Sequence, residues 1–188
     1  MTARTPVDQW LNRFFDVYYR SNPVSATFIG VHSHDGELPV PDSLEHDVEL
    51  AELLEQLEND QVATPADVNE EIDLLLAGLY LRVSRAEKRS GHLSSNPCYY
   101  TGEAIFGIVS LFLRNYAPLD DRLDAAVARL RLVPGLLEAG SVASGTAPEA
   151  WVDRAINECA GAEKLLRKGV PILISRSATP RSDVLDAC

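Results

Sequence analysis

Apolar residues recur at three- and four-residue spacing through most of this chain, and that period predicts helices. In residues 6–20, Val7, Trp10, Leu11, Phe14, Phe15 and Tyr18 line one face. Pro6 suits a first helical turn, and Asn22-Pro23 supplies a stop. An aromatic stripe at this spacing reads as core rather than as a ligand site. Residues 24–31 read as a short helix closed by Gly30. Residues 32–42 hold Gly36, Pro39 and Pro41 among polar groups and read as a loop.

The same period continues downstream. A helix is expected over 43–60, capped by Asp42, with Glu45 at the capping-box position and a stripe of Leu44, Val48, Leu50, Ala51, Leu53, Leu54 and Leu57. Thr64-Pro65 opens a longer helix over 65–89, with Ile72, Leu75, Leu76, Leu79 and Val83 as its core face. Arg82, Arg85, Lys88 and Arg89 load its C-terminal end, and Gly91 can close it. Asn96-Pro97 starts another element. Ile105, Phe106, Ile108, Val109, Leu111, Phe112 and Leu113 make it apolar nearly all round, which predicts a central helix.

Pro118 opens the next helix, with a stripe of Leu123, Ala126, Val127, Leu130 and Val133. Pro134 should kink it rather than end it, because the period resumes at Leu136 and Leu137. Thr146 is expected to cap a helix over 147–168 that ends at Gly169. A connector follows over 169–182. Val170-Pro171-Ile172-Leu173-Ile174 is its most strand-like run, weakened by Pro171. Ser182 then reads as the N-cap of a new helix that the chain carries for a single turn to Cys188. One turn is far below the ~12–15 residues at which isolated helices become marginally stable. The expectation is a truncated protein or fragment, with a frayed natural tail as the alternative. The fold class expected is all-α, a multi-helix array forming a single helical region over 1–188 that is an incomplete domain.

Composition narrows the function classes. The formal net charge of -11, from 28 acidic against 17 basic residues, argues against nucleic acid and anionic membrane as partners. No stretch approaches the ~20 apolar residues of a membrane span, and the N-terminus lacks a secretory pattern. Cys98, Cys159 and Cys188 are odd in number and widely spaced, which disfavours a disulfide framework or structural zinc site and suits a reducing cytoplasm.

Candidate chemistry is sparse. His32-Ser33-His34-Asp35 places two imidazoles two residues apart, which on an extended strand would let both bind one metal. The alternative is a polar loop whose side chains satisfy local backbone groups. The remaining histidines are His46 and His92, and none of the four opens a His-Glu-x-x-His helix. Leu44-Glu45-His46-Asp47 lacks the second histidine. Gly140-Ser141-Val142-Ala143-Ser144-Gly145 has the wrong spacing for a nucleophile elbow, and no phosphate loop is present. Glu49, Glu52, Glu55 and Glu58 share a helix edge and read as a solvated face. Tyr99 and Tyr100 could donate to an oxyanion, or anchor a helix. No catalytic, cofactor-binding or metal-ligating residue is assigned.

An ordered set of landmarks carries a resemblance. The run from Phe15 through Asn22-Pro23-Val24-Ser25-Ala26-Thr27-Phe28-Ile29-Gly30, then His32 and Asp35, resembles the opening of the bacterial domain of unknown function 885 family. Asn96-Pro97 with Tyr99-Tyr100, Ala128-Arg129-Leu130 through Val133-Pro134-Gly135-Leu136-Leu137, and Ala155-Ile156 are similar to its later landmarks. The resemblance covers nearly the whole chain. It implies a mostly helical, zincin-like metallopeptidase whose His-Glu-x-x-His helix lies downstream of the matched region. This chain would then be the N-terminal helical portion of a larger zinc-dependent hydrolase. Zinc is expected in the full-length protein and no cofactor in this chain, which would be inactive alone. Its partners would be the remaining C-terminal part and, in the full protein, a peptide or small-molecule substrate. The alternatives are a stand-alone helical interaction module without enzymatic activity and a small metal-dependent hydrolase using His32 and His34.

Overall fold

The computed structural model describes residues 5–41, 43–91, 95–143, 145–177 and 180–188. Among them the secondary structure is helical, with no strand, and the chain is an all-α multi-helix array. The helices are α1 (Pro6–Ser21), α2 (Pro23–Ile29), α3 (Leu44–Glu58), α4 (Val68–Ser90), α5 (Pro97–Ser110) and α6 (Leu119–Ala143). They continue with α7 (Glu149–Lys164), a π-helical segment (Leu165–Gly169), α8 (Val170–Ile174) and α9 (Ser182–Ala187). No helix among the described residues is long and apolar enough to cross a membrane. The single region read from the sequence divides into two compact units, one of Met1–Ser21 with Asp42–His92, the other of Asn22–Pro41 with Leu93–Cys188.

The first unit packs α1, α3 and α4 against one another. Val7, Trp10, Leu11, Phe14 and Val17 of α1 bury against Leu53 and Leu54 of α3 and Ala77 and Leu81 of α4. The expected stripe of α1 is thus core, except that Phe15 is exposed. Trp10 Nε1 donates to Gln56 Oε1 at 3.0 Å, so the buried indole keeps a partner. Ser43 caps α3, accepting from the His46 amide at 3.4 Å; the expected cap Asp42 lies outside the described residues. With the cap at Ser43, Glu45 falls one position short of the capping-box site. The acidic edge of α3 is paired as well as solvated: Glu49 with Arg20 at 2.7 Å, Glu52 with Arg13 at 2.9 Å and Glu58 with Arg85 at 2.9 Å.

The longer helix of this unit departs from its expected form. It begins at Val68, not 65, because the Asp67 carboxylate accepts from the Asn69 and Glu70 amides at 2.8 and 3.0 Å. A carboxylate spanning two orphan amides is a stronger cap than Thr64. The expected core face of Ile72, Leu75, Leu76, Leu79 and Val83 is exposed, each residue by about half. The face that packs is Leu74, Ala77, Gly78 and Leu81. Small residues decide this: a Cβ on Gly78 would lie 3.4 Å from Leu57 Cδ1, so α3 approaches closely there.

In the second unit α5 is central, packed on α2, α6 and α7. Asn96 caps it, accepting from the Cys98 amide at 3.0 Å, with Pro97 in the first turn as the sequence predicts. Tyr100 is buried against Gly140 of α6, where a Cβ would sit 2.5 Å from Tyr100 Cγ. Helix α6 runs continuously through Pro134. Helix α7 starts at Glu149 without a side-chain cap, so Thr146 does not play the expected role. The helix does not end at Gly169, and the strand-like run 170–174 is helical, which shortens the expected connector over 169–182. The π-helical segment explains the continuity. Pro171 offers no amide and crowds the carbonyl four residues back, and a widened turn just before it relieves both. The last turn, α9, docks on α6: Val184 is buried with Leu123, Val127 and Val170. Its N-cap is Arg181 rather than Ser182, with no side-chain cap bond.

Candidate functional site

The densest polar arrangement lies inside the second unit, around the guanidinium of Arg129. Helix α6 carries Arg129 on its inward face with Ala126 and Leu130, and the residue is fully buried. Its Nη1 donates to the Gly107 carbonyl and, at 3.1 Å, to Ser110 Oγ, both on α5. Its Nη2 donates to the Pro23 carbonyl at 3.2 Å, to Thr27 Oγ1 at 2.8 Å and to the His34 carbonyl at 3.2 Å. One side chain therefore ties α2, the following loop and α5 to α6. The fork geometry of guanidinium makes this possible, since an ammonium is a point donor. Close approach is needed, and Gly107 permits it: a Cβ there would meet Leu38 Cδ2 at 2.6 Å. Burial pulls the Arg129 pKa down to about 10, opposed by the negative charge of Asp35. The group still carries its proton at neutral pH.

Asp35 supplies the opposing charge through one intermediary. Thr27 Oγ1 accepts from Arg129 and donates to Asp35 Oδ1 at 2.7 Å. Asp35 Oδ2 accepts from the Tyr116 hydroxyl at 2.6 Å and lies 3.1 Å from His32 Nδ1. The His32 and Tyr116 rings stack, centroids 3.5 Å apart and planes within 7°. Burial raises the Tyr116 pKa, and its hydrogen bond to Asp35 adds to the rise, so the phenol is held as a donor. Arg122, also buried, holds the segment that carries Tyr116 by donating to the carbonyls of Ala117 at 3.1 Å and Arg114 at 3.3 Å. On the α5 side, burial pushes the Glu103 carboxyl up while Arg129 pulls it down.

The His-x-His-Asp cluster is only partly brought together. His32 and Asp35 join the Arg129 network. His34 contributes its carbonyl to that network, but its ring Nδ1 lies 3.1 Å from Glu37 Oε2. The two imidazoles thus address different carboxylates, in a loop rather than on a strand. Among the described residues no group of three or more His, Cys, Asp and Glu side chains is arranged to hold a metal ion. Zinc needs three or four converging ligands, and the donor set around His32 and His34 does not fit it. His46 lies on α3, outside this unit, and His92 is outside the described residues. Tyr100 is core, leaving Tyr99 half-buried beside it with ring centroids 5.2 Å apart.

Arg129 and Tyr116 were not singled out as site residues by sequence reasoning. The available signal was an arginine inside an apolar stripe, flanked by Ala126, Val127, Leu130 and Val133. A separate apolar cavity of ≈ 210 Å³ lies between α5, α6 and the extended α7, lined by Ile105, Ile108, Leu130, Leu137 and Leu166, with Thr101 among its polar neighbours. The polar network and this cavity are the features of the unit on which a function can be built. Comparison with family models, with curated proteins and with solved structures yields no match.

Proposed function

We propose that this chain is the N-terminal helical part of a zinc-dependent, metallopeptidase-like hydrolase resembling the domain of unknown function 885 family, and that it acts as scaffold rather than catalyst. The observation that supports this reading is the convergence of the landmark residues. Pro23, Thr27 and, through Thr27, Asp35 of the first landmark meet Arg129 of the third in one buried network. Asn96-Pro97 of the second landmark caps the helix that carries Gly107 and Ser110. Residues that recur as a pattern for structural reasons should behave in this way. In this reading zinc, the catalytic glutamate and the peptide or small-molecule substrate belong to the remaining C-terminal part, which is also this chain's partner, in the cytoplasm. The test is metal analysis and peptide hydrolysis with the purified chain. Tight stoichiometric zinc, or peptidase activity lost on chelation, would overturn the scaffold reading.

A second reading, a helical interaction module without enzymatic activity, is favoured by one specific observation. Helix α4 exposes a continuous apolar stripe that no element of its own unit covers. Contiguous apolar surface of this kind marks interaction sites.

A further inference from the structure

We propose that the outward face of α4 is a self-association surface, on which two copies of this chain pair with their α4 helices antiparallel. This rests on the interaction-module reading and names its partner. Val68, Ile72, Leu75, Leu76, Leu79 and Val83 are 63%, 48%, 58%, 58%, 48% and 54% exposed. At about 100° per residue they fall on one face, and at 1.5 Å per residue they span about 22 Å. The opposite face, with Ala77, Gly78 and Leu81, is the one that packs on α1 and α3. The stripe is therefore not a misplaced core face: α4 has two apolar sides, and only one is used within the unit.

Charge selects the occupant. Helical spacing puts Glu71, Arg82, Arg85 and Arg89 along one edge of the stripe, the acid toward the N-terminus and the bases toward the C-terminus. With a two-fold axis near Ala77, Glu71 lies six residues to one side and Arg82 five to the other. Antiparallel pairing then sets Glu71 of each copy beside Arg82 of the other, and brings the two Leu76 side chains together at the axis. Parallel pairing would not bring Glu71 to Arg82, because a two-fold axis along the helices sets each edge of the stripe against the other edge of the partner. The helix dipoles favour the same orientation. A self-complementary patch about a two-fold axis is the ordinary form of a homodimer interface. Arg82 is available for it, being 49% exposed with its nearest acid oxygen, on Glu58, 3.9 Å away.

Sedimentation of the full chain from micromolar to millimolar concentration tests the assignment. The expected result is a concentration-dependent shift from 20.6 kDa to twice that mass. Leu76→Glu should raise the dissociation constant by about tenfold or more, with unchanged circular dichroism. Glu71→Arg and Arg82→Glu should each weaken the dimer, and the double variant should recover it, a rescue that a purely structural role would not produce. A dimer indifferent to all three substitutions overturns the proposal. So does a monomer at every concentration. A monomer that binds a hydrophobic dye, and loses that binding in Leu76→Glu, keeps the interaction face but gives it to another partner, such as further chain of a longer protein. A monomer without dye binding overturns the second-copy assignment and the interaction reading together.

Discussion

Replacing Arg129 by methionine removes the group that joins α2, the 32–41 loop, α5 and α6, while keeping an unbranched apolar stem. The carbonyls of His34 and Gly107 each retain a second donor, from the Glu37 amide and Ser110 Oγ respectively. Their loss is therefore partial. Thr27 and Ser110 lose a charged donor, and hydrogen bonds to charged groups contribute about 1.5–3 kcal/mol each. Asp35, with its side chain 12% exposed, loses the cation that offsets its charge. Breaking a buried charge arrangement by removing one partner costs about 3–5 kcal/mol, and some of that is recovered as the Arg129 desolvation cost disappears. The expected destabilisation is about 3–4 kcal/mol, a large share of the 5–15 kcal/mol typical of a domain. Urea unfolding is the assay, with hydrogen exchange of α2 and α5 read alongside. With an m-value of about 1–3 kcal/mol/M, the midpoint should fall by roughly 1–4 M. Arg129→Lys should recover only part, because one ammonium cannot reach both α2 and α5. A loss below about 1 kcal/mol for methionine, or full recovery with lysine, would refute the reasoning.

The Tyr116 phenol, held protonated by burial and by Asp35, should resist ionisation above pH 10, along with Tyr18, whose pKa burial also raises. In Tyr116→Phe the late fraction of the tyrosinate absorbance titration should lose one group. The raised folded-state pKa means that the stability Tyr116 contributes is full below pH ~10 and is lost as pH rises past it, so denaturation midpoints above that pH should fall less steeply in Tyr116→Phe. Leu81→Ala, in the first unit's core, should cost about 2–5 kcal/mol, whereas Leu75→Ala on the exposed stripe should change monomer unfolding by about 0.5 kcal/mol or less; equal costs would reverse the assignment of the α4 faces. Gly140→Ala drives a methyl into the Tyr100 ring and should cost about 1–3 kcal/mol, read as a lowered melting temperature; no change would mean that this contact is looser than the fold requires.

Local signals in the sequence carried the local structure. Asn96-Pro97 announces α5 because a cap and a fixed φ act within one turn, and the α1 stripe announces a buried face because only one side of that helix is apolar. Helix α4 shows where periodicity stops being sufficient. It has a large-residue stripe and a small-residue stripe, and the packing partners select the small one, a choice that lies in α1 and α3 rather than in α4. The continuation through Gly169 and Pro171 was hidden for a different reason: each residue is a helix-ending signal alone, and the widened turn that accommodates them has no composition signature. For the site, His32 and Asp35 were visible as a cluster, yet the residues that give the cluster its meaning, Thr27, Tyr116 and Arg129, are up to 102 positions from one another in sequence. Such a network is set by tertiary contact, and only the arginine within an apolar stripe hinted at it.

The scaffold reading makes a demanding statement about His32 and His34, that they organise a loop and do not hold a metal. Stacking on Tyr116 and pairing with Asp35 occupy the first, and pairing with Glu37 occupies the second. The most direct measurement is calorimetric zinc titration of the full chain, paired with metal analysis after dialysis and repeated on the His32→Ala/His34→Ala variant. The expected result is no stoichiometric zinc retained and the same weak titration for both proteins. One zinc held per chain, lost in the double variant, would contradict the account.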